Sequence, residues 1–599
     1  MKHADPLRAD TLGTAPLSQA IEAHHHGKER EAHRQSLSSV PGDTVVEAPE
    51  KVVDLEINSV DNDKEHHRAP TRDEIQTLRK VPGSIPATAY LLCFVDFAER
   101  ASWFGARSVS SNFMQFPLPE GGNGAGAPPS GSELPAGALG HGQRFSVALG
   151  LVFSFLSYVI PIFGAWLAEA KVGRYRTILI GVLIGGVAHI IMIAGAVPSI
   201  LQAGKGTAPF LVSLFLLALG AGLFRPNVSP TVLDQHRHYQ PFVKELPSGE
   251  NVIIDPEATM QRIMLIFYAL INVGAFYSLA TVYSEKLVGY WLAFLLPGII
   301  YLLLPLMLWY LNDKLIKVPP DGGALTKFWK ILTVSLVENK GMVWKKGFFD
   351  RVQPGALLQK YPSSGPVKWT SKDVEDVKRT LVACEIFLYF PIYHLNDGGV
   401  GTILPSQGAA MLKKGVPNDL LGNFNPITIM ITVPVLTYIV YPALRKSNIK
   451  FGRISRITLG FWLAVISGLV SSLVQWRIYK TSPCGYHATT CPEVAPVSIW
   501  WQLPSYVLGA LSECFSNVTG YELAYARSPP GMRSLVVSLF LFSTALSSAL
   551  GLILTPAIVD PHLVWVWAGP TIALAVQTVI FWVRHRKYND DEFMIEGDE

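Results

Sequence analysis

The feature that most restricts this chain is a run of twenty residues with a single polar side chain, ILIGVLIGGVAHIIMIAGAV, from Ile178 to Val197. About 20 consecutive apolar residues are enough to cross the hydrocarbon core of a bilayer as a helix. A helix buried in a soluble core needs no such length. Similar runs recur along the 599 residues, and they account for a charged fraction of only 16%. A soluble domain carries about a quarter. Mean hydropathy is +0.29. These properties predict an all-α, polytopic membrane protein.

Windowed hydropathy yields about twelve spans. They lie near Ile85–Gly105, Phe145–Ala168, Thr177–Val197, Ala208–Val228, Ile263–Tyr283 and Tyr290–Leu311 in the first half. In the second half they lie near Thr380–Val400, Ile427–Ala443, Ile457–Gln475, Ser498–Gly520, Leu535–Ile558 and Leu563–Trp582. A polar segment, 312–379, separates two sets of six, so the predicted organisation is a bundle over 83–311, a linker and a bundle over 380–584. Two six-span halves about a linker form the layout of the major-facilitator fold, whose substrate site lies between the halves. The segment 1–82 is rich in charged residues and histidine, the composition of disorder, and 585–599 forms a second tail.

Loops alternate in charge. One set carries Lys171, Arg174 and Arg176, then Arg237 and Lys244, then Arg445, Lys446, Lys450, Arg453 and Arg456, then Arg527 and Arg533. The other set is poor in cations. By the positive-inside rule the first set and both termini are cytoplasmic, in a plasma-membrane protein. A formal net charge of +4 is too small to indicate nucleic acid. No metal pattern is present; His24 to His26 reads as incidental, and Cys93, Cys384 and Cys514 fall in apolar runs as packing residues. Cys484 and Cys491 share a short polar loop and are expected to form a disulfide if that loop is extracytoplasmic.

Several charges stand where hydrocarbon is expected. The first span, YLLCFVDFAERASWFGARS, carries Asp96, Glu99 and Arg100. A charge at the centre of a span costs about 2.5–3.5 kcal/mol on insertion scales. Asp96 and Arg100 are four residues apart on one face, so they can pair or share protons. The alternative is a snorkelling cluster near a helix end. Glu513 in the tenth span has no basic neighbour within that span, and must protonate or find a partner elsewhere. Arg225 precedes Pro226, which is expected to break the fourth span at its cytoplasmic end, making Arg225 a helix-end anchor or a site residue. Tyr158, Asn272 and Asn425 are weaker signals.

At these residues the chain resembles the proton-dependent oligopeptide transporters, in their fungal form. The family's Glu-x-x-Glu-Arg-Phe-x-Tyr-Tyr-Gly stands here as Asp96, Glu99, Arg100, Ala101, Trp103, Phe104 and Gly105. Pro161, Ile162, Gly164, Ala168, Gly173, Tyr175 and Thr177 follow the pattern of the second span and its loop, with Glu169 where aspartate is usual. GLFRPNVSP has Arg225 in place of lysine; FYALINVGA, SQGAAM, VPNDLL and GYELAYARSPPGMRS complete the series in order. The resemblance covers about Pro82 to Tyr588.

It implies proton-coupled import of di- and tripeptides by alternating access, not an enzyme. Arg100 and Arg225 would hold the peptide carboxylate; Glu513, Asn272 and Asn425 its α-amino group; Tyr158 would join the substrate site. Asp96 and Glu99 would handle protons. It implies no cofactor beyond the proton gradient, and peptide, protons and the lipid bilayer as partners, with oligomeric state open. The charges alone tell a consistent story: cations in one half and a carboxylate in the other make a slot for a zwitterion, and arginine's fork suits a carboxylate. Two departures stand out. Trp103 and Phe104 replace two tyrosines, and Gly398 and Gly399 occupy a position where relatives carry a polar pair. They leave open a same-fold carrier of another amphipathic metabolite, including an exporter, or a nutrient sensor built on a transporter body.

Overall fold

The computed structural model describes residues 68–589 apart from short stretches (69, 72–73, 75–76, 237–240, 247–248, 318, 321–323, 342–346, 362–368, 448–450 and 527–532). The tail at 1–67 with its histidines, residues 590–599, and Arg237, Lys450 and Arg527 lie outside the described residues.

Seven described helical stretches are long and apolar enough to cross a membrane: Gly142–Val172, Arg174–Gly195, Thr207–Leu233, Tyr290–Leu311, Arg453–Thr481, Leu539–Ala557 and Leu563–His585. The other five expected spans are helical but charged or interrupted. They are Ala87–Gln115; Pro256–Ala275 with Tyr277–Leu287; a series of short pieces from Cys384 to Ala409; Phe424–Val435 continuing to Lys446; and Leu503–Ala526. They are called spans 1 to 12 below, in chain order.

Three boundaries differ from those expected. Span 1 does not end at Gly105 but runs 29 residues to Gln115, where Phe116 turns extended. Its stop is Pro117, which disfavours the helical conformation in the residue before it. Arg100 is therefore near the middle of a helix about 43 Å long at 1.5 Å per residue, and the reading of a helix-end cluster is excluded. Span 4 does not break at Pro226. Its helix continues through Pro226 and Pro230 to Leu233. The Asn227 amide donates to the carbonyls of Leu223 (2.8 Å) and Gly164 (3.3 Å), which ties span 4 to span 2 beside the proline. Span 7 is not a single helix from Thr380. After the helix Ser371–Ala383, residues form 3₁₀ turns, one α-turn (Phe390–His394), a π turn at Leu395–Gly399 and further 3₁₀ turns before Leu404–Ala409. Pro391, Gly398, Gly399, Gly401 and Pro405 account for this in sequence.

The chain is also not purely helical. Lys80–Pro82 pairs in parallel with Asn251–Asp255, which pairs antiparallel with Phe242–Glu245. This small sheet encloses Phe242, Val252 and Ile254, and ties the last residues of the expected N-terminal tail to the loop before span 5. The linker is ordered in its described parts. Helices Ala324–Glu338, Pro354–Lys360 and Ser371–Ala383 bury Phe328, Ile331, Val352, Leu357, Val374 and Val377, and rest on Ile162 and Trp166 of span 2 and Leu539 of span 11.

Without a hydrophobic force between helices in lipid, close association depends on small residues that let backbones approach. Spans 3 and 4 do this at Gly181, Gly185 and Gly220. A Cβ added at Gly220 would lie 2.7 Å from the Gly181 carbonyl oxygen and 2.9 Å from the Gly185 nitrogen. Overpacking of this kind costs about 1–3 kcal/mol. Gly220→Ala is expected to lower the melting temperature of the detergent-solubilised protein by several degrees. Gly569→Ala, where added bulk meets open space, should leave it unchanged. Equal melting temperatures for the two would refute this packing.

Candidate functional site

Between the halves lies a cavity of about 640 Å³, lined from the first half by Arg100, Trp103, Arg107, Tyr158, Arg225 and Asn272, and from the second by Asn396, Asp397, Asn425 and Glu513 among others. Small-molecule sites typically measure about 300–1,000 Å³. All six residues proposed for substrate contact line it. Asp96 and Glu99 do not; they are buried behind it, 2% and 1% exposed.

Glu99 is the hub of the first-half charges. It is ion-paired with the adjacent Arg100, and its other oxygen lies 3.7 Å from Arg225 Nε. One carboxylate thus faces two guanidiniums from different spans, with Asp96 one turn away, whose Oδ2 has no hydrogen-bond donor among the described residues. Breaking such a buried arrangement by removing one partner is costly, because the other charge stays in low dielectric.

Trp103 is the platform on which the cations are laid out. The guanidinium of Arg225 sits 4.2 Å from its ring centroid, that of Arg107 5.0 Å and that of Arg100 5.9 Å. The ring is held by stacking on Phe153 and by the edge contact of Phe104. Each cation over a tryptophan face contributes about 0.5–2 kcal/mol, more when water is excluded. The departure from tyrosine therefore exchanges a hydroxyl for a broad π face that gathers three arginines. Tyr158 completes this side, close enough to Arg107 and Arg225 to interact electrostatically.

The second half supplies the opposite sign. Asn425 Nδ2 donates to Glu513 Oε1 over 2.7 Å, which orients the carboxylate and binds spans 8 and 10 together. Asp397 faces the same space, near enough to Glu513 for direct electrostatic interaction and against Gly509, where an added Cβ would lie 3.1 Å from its Oδ1. Its position follows from the π turn Leu395–Gly399. In a regular helix adjacent side chains diverge by about 100°, and the wide turn re-aims Asp397 next to the two glycines that replace a polar pair.

Sequence reasoning missed Arg107 as a cavity residue because span 1 was ended two residues before it. The absence of any proline from Ala87 to Phe116 was the available signal. Asp397 could be foreseen as a cavity residue only if the adjacent glycines unwind the span, because neighbouring side chains on a regular helix diverge by about 100°. Away from the cavity, Cys484 and Cys491 are disulfide-bonded with Cα atoms 5.8 Å apart, while Cys93 and Cys514 are buried free thiols and Cys384 a partly buried one.

Contacts between the halves close the cavity at the end away from the chain's termini. Asn112 of span 1 and Asn418 of the second half exchange side-chain hydrogen bonds of 2.9 and 2.8 Å. Gln115 Nε2 donates to Ser406 at 2.7 Å, Ser278 donates to Asn423, and Glu133 accepts from the backbone amides of Lys413 and Lys414.

Residues 175–574 match the POT family. The chain is 40% identical over 516 residues to the peptide transporter PTR2 of Candida albicans, covering 84% of this chain and 83% of that protein. It is 33% identical to a probable peptide transporter of Schizosaccharomyces pombe, over 87% of this chain and 81% of the other. The crystal structure of an auto-inhibited POT family peptide transporter has the same fold, with a TM-score of 0.64 at 19% identity, over 86% of this chain and 99% of that one. The chain belongs to the POT family, with the two-bundle major-facilitator fold.

Proposed function

We propose that this chain imports di- and tripeptides by alternating access, driven by protons, with no other cofactor. The observation that carries the reading is the division of charge across the cavity: Arg100, Arg107 and Arg225 on one wall, Glu513 and Asp397 on the other. That is the complement of a zwitterion a few residues long. The substrate carboxylate binds the arginines, which can offer paired N–H donors, and its α-amino group binds Glu513, with Asn425 fixing the acceptor. Asn272 and Tyr158 contact the substrate between these poles.

Coupling follows from competition at Glu99. While ionised, Glu99 holds Arg100 and Arg225. A proton on it, or on Asp96 beside it, releases the guanidiniums to the substrate carboxylate, and loss of the proton recaptures them. Protonation is favoured at low pH, so uptake increases as external pH falls. The orientation places both termini and the linker in the cytosol of a plasma-membrane protein, and the disulfide loop outside. The conformation described above is then closed to the outside.

Labelled dialanine supplied to yeast lacking its own peptide transporters is expected to accumulate on expression of this chain, faster at pH 5.5 than at 7.5, and to stop accumulating with a protonophore. No uptake at either pH would favour a carrier of another metabolite or a sensor. Arg100→Ala and Glu513→Gln should each abolish uptake at unchanged surface expression. Losing one partner of a desolvated ionic contact costs about 2–5 kcal/mol, so affinity should fall at least about 30-fold. Wild-type kinetics in Glu513→Gln would refute the amino-end assignment.

The π turn supports a roomier pocket in which Asp397 serves where relatives carry a polar pair. The double variant Gly398→Asn, Gly399→Gln is expected to gain dialanine uptake relative to bulky peptides. A double variant with the same preference as the wild type would refute the idea.

The topology has its own test. Without reductant, Cys484 and Cys491 should resist thiol labelling on intact cells, and with reductant they should label without permeabilisation. Labelling that requires permeabilisation would reverse the orientation.

A further inference from the structure

The closed mouth contains a feature that the transport scheme above does not use. Glu285, near the end of span 5, and Asp419, in the second half just before span 8, are 1% and 4% exposed. They approach each other across the interface between the halves, both held on one pair of amides, Asn112 and Asn418. An ionised carboxylate only accepts hydrogen bonds. Two carboxyls placed in this way would bond directly to each other only with a hydrogen on one of them.

The surroundings supply the pair with amides but no counter-charge. Glu285 Oε1 accepts from Asn112 Nδ2 at 3.1 Å, and Asn418 Nδ2 reaches Asp419 Oδ1 at 3.5 Å. The second oxygens, Glu285 Oε2 and Asp419 Oδ2, have no donor among the described residues. From span 6 the Tyr290 hydroxyl faces Glu285, and from span 10 Tyr506 faces Asp419; neither residue type brings a positive charge. The nearby cations are engaged elsewhere. The Lys413 ammonium donates to the carbonyls of Ala409 and Met411, and Lys286 and Lys413 both interact with Glu133. No basic side chain is ion-paired with either carboxyl among the described residues. Two unneutralised like charges in such a site would repel strongly at low effective dielectric.

We propose that Glu285 and Asp419 are a second proton site, separate from that at Asp96 and Glu99, in which one shared proton latches the outer mouth shut. The proposal rests on the inward-transport orientation given above. With the mouth open, each carboxyl meets external water and ionises independently. Capture of one proton from outside converts mutual repulsion into an O–H donating to a carboxylate, and the halves close. Asp419 also lines the central cavity, so the proton has an exit on the inner side of the latch. Its departure restores two like charges and drives the mouth open for the next cycle. The proton is bound in the closed state and released from the pair on opening, so closure is favoured at low pH and lost as pH rises.

The test is a distance across the mouth in the full-length protein in liposomes. Spin labels at Lys205→Cys and Tyr486→Cys, with Cys93, Cys384 and Cys514 replaced, are read by pulsed electron resonance from pH 5 to 8.5. One proton gives a ratio of long to short distances that rises by up to about tenfold per pH unit. Glu285→Gln keeps the acceptor for Asn112 and supplies an N–H to Asp419, and Asp419→Asn does the reverse. Each is expected to keep the short distance across the whole range.

A label distance independent of pH in the unsubstituted pair would overturn the proposal, as would an unchanged pH response in both variants. So would restoration of the short distance at high pH by sodium ions, which would assign the site to a metal cation. No substrate is needed. A chain that shows the pH-dependent distance yet takes up no dipeptide would contradict the transport reading and uphold the latch. Uptake without the pH-dependent distance would do the opposite.

Discussion

Glu99 is the interaction on which the rest of the first bundle depends. It is 1% exposed and is shared between Arg100 on its own helix and Arg225 on span 4. A bilayer interior cannot solvate any of the three, so spans 1 and 4 must sit where the guanidiniums reach the carboxylate. Close helix contact then becomes a requirement, and the glycines on spans 2, 3 and 4 meet it: Gly164 lies against the Gly222 carbonyl and Gly181 against that of Gly220. The aromatic floor follows from the same demand. Trp103 gathers three cations around one ring without supplying a counter-charge, so the cavity wall keeps a positive surplus for a ligand to neutralise.

The second bundle solves the opposite problem by loosening its helices. Span 7 is broken into short turns, and the π turn Leu395–Gly399 brings Asp397 towards Glu513. Irregular backbone at membrane depth is tolerated where protein or a cavity surrounds it, and both conditions hold. Buried amides hold the broken segment: Asn396 donates to the Ala464 carbonyl at 2.7 Å and accepts from Thr571 at 2.9 Å. A rigid positive wall thus faces a more adaptable negative one.

Much of this could be read from the chain itself, and the reasons for the rest are specific. The apolar runs announced the spans because their length has no other use. The first-span charges stood out because each is expensive in hydrocarbon. Pro226 misled because the helix it would end is held from outside: its freed Gly222 carbonyl is packed against Gly164 of span 2, and Asn227 binds the same stretch of span 2. The strands Lys80–Pro82, Phe242–Glu245 and Asn251–Asp255 are too short and too far apart in sequence for alternation to reveal them. Glu285 gave no signal, and Asp419 entered only as one letter of VPNDLL, with no role attached. Glu285 lies near the end of an apolar stretch and Asp419 in a polar loop, places where an acid is unremarkable, and only the apposition of the two halves makes them a pair.

The seat of the linker has a mechanical consequence. Its apolar core rests on Ile162 and Trp166 of span 2 and on Leu539 of span 11, and these two spans also run against each other between the halves, with Leu151 filling the space beside Gly551. When two rigid bodies rock about a shared seam, points near the seam travel least. A load carried there has almost no lever arm, so it exerts little torque on the motion. The linker can ride through the cycle as ballast at the hinge, and variation in its length or added mass on its exposed face would weigh far less on turnover than the same mass placed at either rim.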